Sequence, residues 1–413
     1  MINITQMKFA LRALQHRNYR LFVVGQGISL IGSWMQVIAV GWMTYRLTNS
    51  AFLLGLVGFF GQLPTFLFAP IAGVLADHWN RRRILIVTQA MAMIQAFMLA
   101  VLSLSGAITV WQIMVLSIFL GLINSFDMPV RNAFVIDMVD KKDLSNAIAL
   151  NSLMFNGARL LGPSLAGVLI ALVGEGTCFL INSLSFLAVI AALSAMRLEA
   201  KKAPQKRESV VNGLREGFMY VANHAPIRYI LLLVTLISVM GMSYATLMPV
   251  FARDVLGGGP HTLGFLMGAV GIGALIGGSY LALRKNIRGL EKVIPAMAFI
   301  FGASLIAFSF SRTLWISLLL MLIVGFGMIA QMASSNTLLQ SLADDDKRGR
   351  VMSFYTVAFM GMVPFGSLLA GAMADKIGAP LALSISGAIC IIGAVAFSGK
   401  IHKIRESASS FTL

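Results

Sequence analysis

Twelve apolar runs, each long enough to cross a bilayer, leave this chain few folds to adopt. A helix needs about 20 apolar residues to span the hydrocarbon core. Runs of that kind, broken by charge, Gly or Pro clusters, cover 21–45, 51–76, 84–105, 110–136, 146–173, 177–196, 229–252, 262–283, 293–311, 314–341, 351–373 and 380–399. In lipid every backbone amide must be satisfied within the protein, so the runs predict helices; barrel strands would alternate and be about half as long. Of the 413 residues, 58% are hydrophobic and 12% charged, against about 25% charged in soluble domains. That balance excludes an ordinary soluble enzyme, a disordered chain and a nucleic-acid binder, despite a net charge of +16. The basic start, 1–20, lacks the short apolar stretch and small-residue cleavage site of a leader, so the first run is expected to stay as a span.

The basic residues fix an orientation. With twelve spans, one side collects the start (Lys8, Arg12, Arg17, Arg20), Arg81–Arg83, Lys141 and Lys142, seven residues between Arg197 and Arg228, Arg284, Lys285, Arg288, Lys292, Lys347, Arg348, Arg350 and the tail. The other side keeps only Arg46, Arg253, Arg312 and Lys376. Lys and Arg accumulate on the cytoplasmic side. Both termini are therefore expected there, in the inner membrane of a bacterium, and the 26 basic residues of that side can touch anionic lipid.

Spans one to six and seven to twelve are separated by a polar, basic segment. We expect a first bundle over 1–197, a linker over 198–226 and a second bundle over 227–413. The linker's second part has Val210, Val211, Leu214, Phe218 and Val221 at helical spacing, which predicts an amphipathic surface helix. A shift of 204 residues aligns spans four and five with ten and eleven without a gap. Met128 falls on Met332, Asn132 on Asn336, Phe155 on Phe359, Gly162 on Gly366, Gly167 on Gly371 and Gly174 on Gly378. A duplicated half predicts two pseudo-symmetric six-helix bundles, the architecture of alternating-access transporters.

After span two the chain reads Gly73-Val-Leu-Ala-Asp77-His-Trp-Asn-Arg81-Arg82-Arg83. This resembles the signature loop of the major facilitator superfamily, G-x-L-a-D-r-x-G-r-[RK]. The resemblance implies that fold and a conformational switch built from Gly73, Asp77, Arg81 and Arg82, with the arginines bridging to acids at the cytoplasmic rim. His78 and Asn80 depart from the pattern; Asn80 is expected to take the left-handed backbone that Gly usually supplies. In the second half Leu281 stands where Asp77 would be, and the look-alike from Gly371 to Gly378 follows span eleven on the outer side. It is therefore not expected to act as the switch.

Span five carries Gly157-Ala-Arg-Leu-Leu-Gly162-Pro163-Ser-Leu-Ala-Gly167. It resembles the GPxxGG signature of exporters in the superfamily, with Ala166 replacing one Gly. A Pro within a span bends the helix, and small neighbours admit another helix. Span eight offers Gly264, Gly268, Gly271, Gly273, Gly277 and Gly278. The two faces either slide and seal during transport or simply pack. With FDMPVRNAFVIDMV and NYRLFVVGQGISLIGSWMQ, the chain resembles the branch of enterobactin exporters and related multidrug exporters.

Ionisable groups inside spans are costly and informative. Asp127 and Arg131, four apart, are expected to pair. Asp127 lies roughly 25 Å along span four, near the rim and Arg81. It reads as a conformational latch with Arg131, or alternatively as a proton carrier. Arg159 lies about 21 Å along span five, where the span map places no Asp or Glu. Ser152, Asn156 and Arg159 form one polar stripe, and Gln26, Ser29, Ser33 and Gln36 another on span one. Both are expected to face a wet cavity and contact cargo. Arg159 either attracts anionic or polar cargo groups or braces against backbone carbonyls. Trp34, Trp42, Phe59, Phe60, Tyr244 and part of the Met content are candidate cavity residues.

Cys178 and Cys390 lie in apolar runs of opposite halves, and the five His fall in tails or loops. They predict no disulfide, metal site or cofactor. There is no paired-acid or Ser/His arrangement and no Gly-rich phosphate loop, so an enzyme or an ATP-driven pump is not expected. The reading is an all-α membrane protein, a monomeric secondary transporter exporting a small organic molecule, with protons as coupling ion by resemblance. Alternatives on the same fold are an importer and a lysolipid flippase.

Overall fold

The protein was examined as a computed structural model, which describes residues 11–76, 79–197, 210–284 and 289–401. Among the described residues, twelve helices are long and apolar enough to cross a membrane. In chain order they are α1 (Arg17–Thr48), α2 (Ala51–Ala76), α3 (Arg81–Leu104), α4 (Val110–Met138), α5 (Leu144–Val173) and α6 (Glu175–Ala195). The second set is α7 (Ala225–Val255), α8 (Pro260–Ala282), α9 (Leu290–Phe310), α10 (Leu314–Leu342), α11 (Arg348–Ile377) and α12 (Ala379–Ser398). No strand occurs among the described residues.

Several helix ends follow directly from the residues placed there. Thr109 caps α4: its side chain accepts the Gln112 amide while Gln112 accepts the Thr109 amide, which satisfies two donors that a helix start otherwise leaves bare. Gly174 (φ 80°) and Gly378 (φ 84°) join α5 to α6 and α11 to α12. These two repeat-related turns need a positive φ that a side chain resists. Asn80 departs from expectation. Its φ of −68° is extended, not left-handed, and its carboxamide oxygen accepts the Arg83 amide at 3.2 Å. It is the N-cap of α3, a position that asks for an acceptor side chain rather than for glycine.

Contacts divide the chain into two units that do not follow the sequence midpoint. The first holds Met1–Asn49, Phe60–Pro204 and Gly259–Gly264; the second holds Ser50–Phe59, Gln205–Gly258 and Phe265–Leu413. Within the first, α3 packs on α4 and α6, and α1 on α5 and α6. Within the second, α9 packs on α10 and α12, repeating the arrangement of α3. Phe301 and Phe308 of α9 are fully buried there, edge-on to Tyr244 at 6.4 Å and tilted against Phe251 at 4.8 Å respectively.

Among the described residues, three π-helical turns interrupt the second set: Ile237–Gly241 and Phe251–Val255 in α7, and Val357–Gly361 in α11. Hydropathy carries no trace of them, because a π-turn changes backbone pairing and not apolar content. The linker forms the expected helix, Val210–Asn223. Its Tyr220 hydroxyl donates to Asp344 at 3.0 Å, Glu216 pairs with Lys347 and Arg350, and Phe218 meets Phe354 at 6.5 Å.

Candidate transport site

The first unit carries two polar centres within its helices. The Asp127 carboxylate on α4 is 3% exposed. One oxygen accepts from the Thr88 hydroxyl at 2.9 Å and from Gln89 Nε2 at 2.8 Å; the other lies 3.4 Å from Arg131 Nη2. The expected pair with Arg131 therefore forms, with two neutral donors from α3 beside it. The expected proximity to Arg81 does not. Arg81 Nη1 pairs instead with Asp137 at 3.0 Å. Asp137 lies ten residues beyond Asp127 on α4, about 15 Å nearer the basic end. Arg82 makes a different contact. Its guanidinium donates to the carbonyls of Leu193 and Ser194, both at 2.7 Å, where the end of α6 presents unpaired acceptors. Gly73 lies near the end of α2, and Asp77 lies outside the described residues.

A second centre joins α1, α3 and α6. Gln36 Nε2 donates to Gln95 at 3.0 Å, Asn182 donates to Gln36 at 2.8 Å, and Gln95 donates to the Leu116 carbonyl at 3.1 Å. This centre includes one member of the stripe on α1 that was expected to face a cavity. Gln36, Gln26 and Ser29 are all buried, at 3%, 3% and 1% exposed, and Ser33 is half-buried. The same helix packs on α6 through Gly25 and Gly32, where an added Cβ would meet Ala192 and Asn182. Of these residues, Gln36 pairs with neighbouring helices through Gln95 and Asn182. Trp42 and Tyr244 are likewise core residues, 7% and 1% exposed.

The α5 stripe is different. Ser152 is exposed, and Asn156 and Arg159 are half-buried. Asn156 Nδ2 donates to the Ser152 carbonyl at 2.8 Å. The Arg159 guanidinium stands over the Trp34 ring, 5.7 Å from its centroid, and Trp34 meets Phe155 edge-on at 5.8 Å and 73°. Phe155 was not foreseen here, although it sits four residues before Arg159 and so shares its face.

The exporter-like motif places its glycines unequally. A Cβ on Gly157 would meet nothing within 4 Å, whereas one on Gly162 would strike Trp34 Cβ. Pro163 is buried beside it. On Gly167 a Cβ would fall 2.7 Å from the Pro260 carbonyl oxygen and 2.8 Å from Gly264 Cα. The look-alike on α11 makes the matching seam: a Cβ on Gly371 would fall 2.6 Å from the Ala51 carbonyl oxygen and 2.9 Å from Gly55 Cα. Asp375, one turn on, accepts from Ser50 at 3.3 Å.

The remaining charge clusters have structural partners. Glu175, 7% exposed, takes two hydrogen bonds from Arg46, at 2.7 and 3.3 Å. His16, Asp140 and Asp143 come within 4.8 Å of one another, a grouping the sequence spacing did not reveal. Asp143 is already held by His16 at 2.9 Å and Arg12 at 3.0 Å, so a guanidinium occupies the place a cation would take.

Comparison with known proteins decides the family. The sequence profile of the transmembrane secretion effector family matches residues 9–411. The chain belongs to this family of major facilitator transporters. Among relatives of this transporter, the staphyloferrin A transporter of Staphylococcus aureus is 27% identical, over 95% of the chain and 98% of that protein. The multidrug efflux pump Tap of Mycolicibacterium fortuitum is 27% identical over 88% and 91%. Macrolide efflux protein A of Streptococcus pyogenes is 24% identical over 92% and 95%. The fold of this secretion effector is similar to that of a bacterial homologue of the human lysosomal transporter Spinster, with TM-score 0.75 and 14% identity over 95% and 98% of the two chains. The nucleoside transporter NupG gives 0.73 and 12% over 94% and 99%. The transporter is thus a multi-pass membrane protein, and its family and relatives are transporters rather than enzymes.

Proposed function

We propose that this protein exports a small organic molecule across the bacterial cytoplasmic membrane by alternating access, in exchange for protons. Two relatives named as efflux proteins support the outward direction. The basic loops, which collect on one side of the span map, support cytoplasmic termini. The observation that carries the mechanism is the pair of glycine seams, Gly167 on Gly264 and Gly371 on Gly55. Each brings helices from opposite sequence halves into backbone contact. Small-residue seams of this kind separate and close without dragging large side chains through lipid.

Asp127 is our candidate proton carrier. It is a buried acid whose partners Thr88 and Gln89 are neutral, so gain and loss of a proton alters one pair, with Arg131. Arg81 and Asp137 then serve as the latch at the rim. The test uses everted vesicles energised to an acid interior and a panel of siderophores, dyes and antibiotics. The expected result is proton-dependent accumulation of some of the panel, lost in Asp127→Asn. Accumulation only in right-side-out vesicles would overturn the direction. Accumulation indifferent to the proton gradient would overturn the coupling.

A further inference from the structure

α9 and α12 meet glycine on glycine. A Cβ on Gly302 would fall 2.6 Å from the Gly387 carbonyl oxygen, and one on Gly387 would fall 2.6 Å from the Gly302 carbonyl oxygen. Packed helices cross at an angle, so two that touch at one point diverge on either side of it. Side chains normally fill the divergence to the density of a protein interior. Toward the start of α9 they do not. Pro295, seven residues from Gly302, lies about 10 Å along the helix. There Pro295 and Ala296 stand beside Ala394 and Ser398 of α12, and these side chains are too short to close the gap. A groove of about 270 Å³ results, with Phe299 and Val395 also in its walls and Lys292 and Ile401 at its end.

The groove is apolar with a cation at its mouth. Lys292, Pro295, Ala296 and Phe299 follow the three- and four-residue spacing of one helix face. Lys292 is exposed, and among the described residues its side chain has no hydrogen-bond or ion-pair partner. Its sequence neighbour Glu291 is buried and does not line the groove. Lys400, also exposed, follows the end of α12 and adds charge of the same sign at that end. The Ser398 hydroxyl donates to the Ala394 carbonyl at 2.9 Å, so the lysines are the groups left to meet a ligand.

Ala296, Phe299 and Val395 are exposed although they lie within spans, so the groove opens sideways on the lipid-facing surface. Pockets that enclose a whole drug-sized ligand measure about 300–1,000 Å³. This one is smaller and open, which suits a molecule that leaves the rest of itself in the bilayer. A lysine near the end of a span extends its amine to the headgroup level while its stem stays in apolar surroundings. Each lysine there favours an anionic lipid by an amount equal to about fivefold in binding.

We propose that this groove binds an anionic phospholipid, with one acyl chain between Phe299 and Val395 and its phosphate held by Lys292, with Lys400 beside it. The chain fills the space that the short side chains leave and ties α12 to α9 beyond their glycine contact. Neither the direction nor the coupling of transport enters.

The test uses the full-length protein, delipidated in detergent, with Ser398→Cys supplying a thiol in the groove. Cys178 and Cys390 are buried and set the background of maleimide labelling. Palmitoyl-oleoyl phosphatidylglycerol should protect the introduced thiol at a concentration at least fivefold below that of the matching phosphatidylcholine. Lys292→Gln should bring the two lipids within about twofold. Lys141→Gln removes an exposed lysine outside the groove and should leave the preference intact. Glycerol 1-phosphate should give no protection. Ala296→Trp fills the groove from an exposed position. In native mass spectrometry of the protein with Ser398 intact, that variant should retain one phosphatidylglycerol fewer than the wild type. Equal protection by the two phospholipids overturns the proposal, as does a preference unchanged in Lys292→Gln or lost equally in Lys141→Gln. Protection by glycerol 1-phosphate would identify a soluble anion site instead, and full lipid retention in Ala296→Trp would place the lipid elsewhere.

Discussion

Gly167 and Gly371, 204 residues apart, meet a facing helix at matching positions, one over Pro260 and Gly264 and the other over Ala51 and Gly55. In both seams the blocking atoms are a carbonyl oxygen and, four residues on, a glycine Cα. The repeat therefore survives as geometry in a contact that neither half of the motif spells out by itself.

The glycines of α5 should respond in opposite ways to the same substitution. Gly167→Ala and Gly162→Ala force a Cβ into backbone or into Trp34, and overpacking of that kind costs about 1–3 kcal/mol. Gly157 has open space and a helical backbone, so Gly157→Ala should be neutral or stabilise by up to about 1 kcal/mol. Unfolding midpoints of the purified variants in detergent give the comparison. A Gly167→Ala protein as stable as Gly157→Ala would mean that the seam is looser than described.

Asp127 should tolerate loss of charge better than loss of shape. In Asp127→Asn the carboxamide oxygen can still accept from Gln89 and Thr88, so the cost should stay near 1–2 kcal/mol. Asp127→Leu strands the Gln89 amide and leaves Arg131 without its acid in a protein interior, which costs about 3 kcal/mol or more. Thermal unfolding should rank wild type above Asn and Asn above Leu. Equal midpoints for Asn and Leu would show that the hydrogen bonds to Asp127 contribute nothing.

Arg81 and Asp137 are coupled at the end of α4. Each side chain is about a quarter exposed, 25% and 26%, so water and salt weaken the pair and the coupling should be about 0.5–1 kcal/mol. A double-mutant cycle with Arg81→Ala and Asp137→Ala should return that energy. The exchanged pair, Arg81→Asp with Asp137→Arg, should recover transport that either single exchange loses. A cycle between Arg81 and Asp127 should return no coupling, which separates the observed partner from the one the sequence favoured.

The helix count, the helix boundaries and the repeat were legible because each rests on long runs, where errors at single positions average out. The Asp127–Arg131 pair was legible because both members lie on one helix, where spacing fixes distance. Partners on different helices were not. Arg81 has Asp127 and Asp137 ahead of it on α4, and only the packing of α3 against α4 decides between them. The polar stripe on α1 illustrates the same limit. Period alone gives Gln36 and Ser33 the same claim to a cavity, yet Gln36 turns to Gln95 and Asn182. Gly371 follows span eleven and so stands apart from the loop signature, while its alignment with Gly167 already pointed to its seam with Ala51 and Gly55.

Gln36 supplies a final test of that distinction. Gln36→Leu removes the acceptor of Asn182 and the donor to Gln95 while leaving their burial in place. Interhelical hydrogen bonds in membranes average about 0.6 kcal/mol, and stranded buried groups cost more, so the loss should be about 1–2 kcal/mol. Because the side chain faces α3 and α6, the ranking of cargo in vesicle efflux should not change, even where the rate falls with protein stability. An altered cargo ranking in Gln36→Leu, with the unfolding midpoint unmoved, would return Gln36 to the cavity that its spacing first proposed.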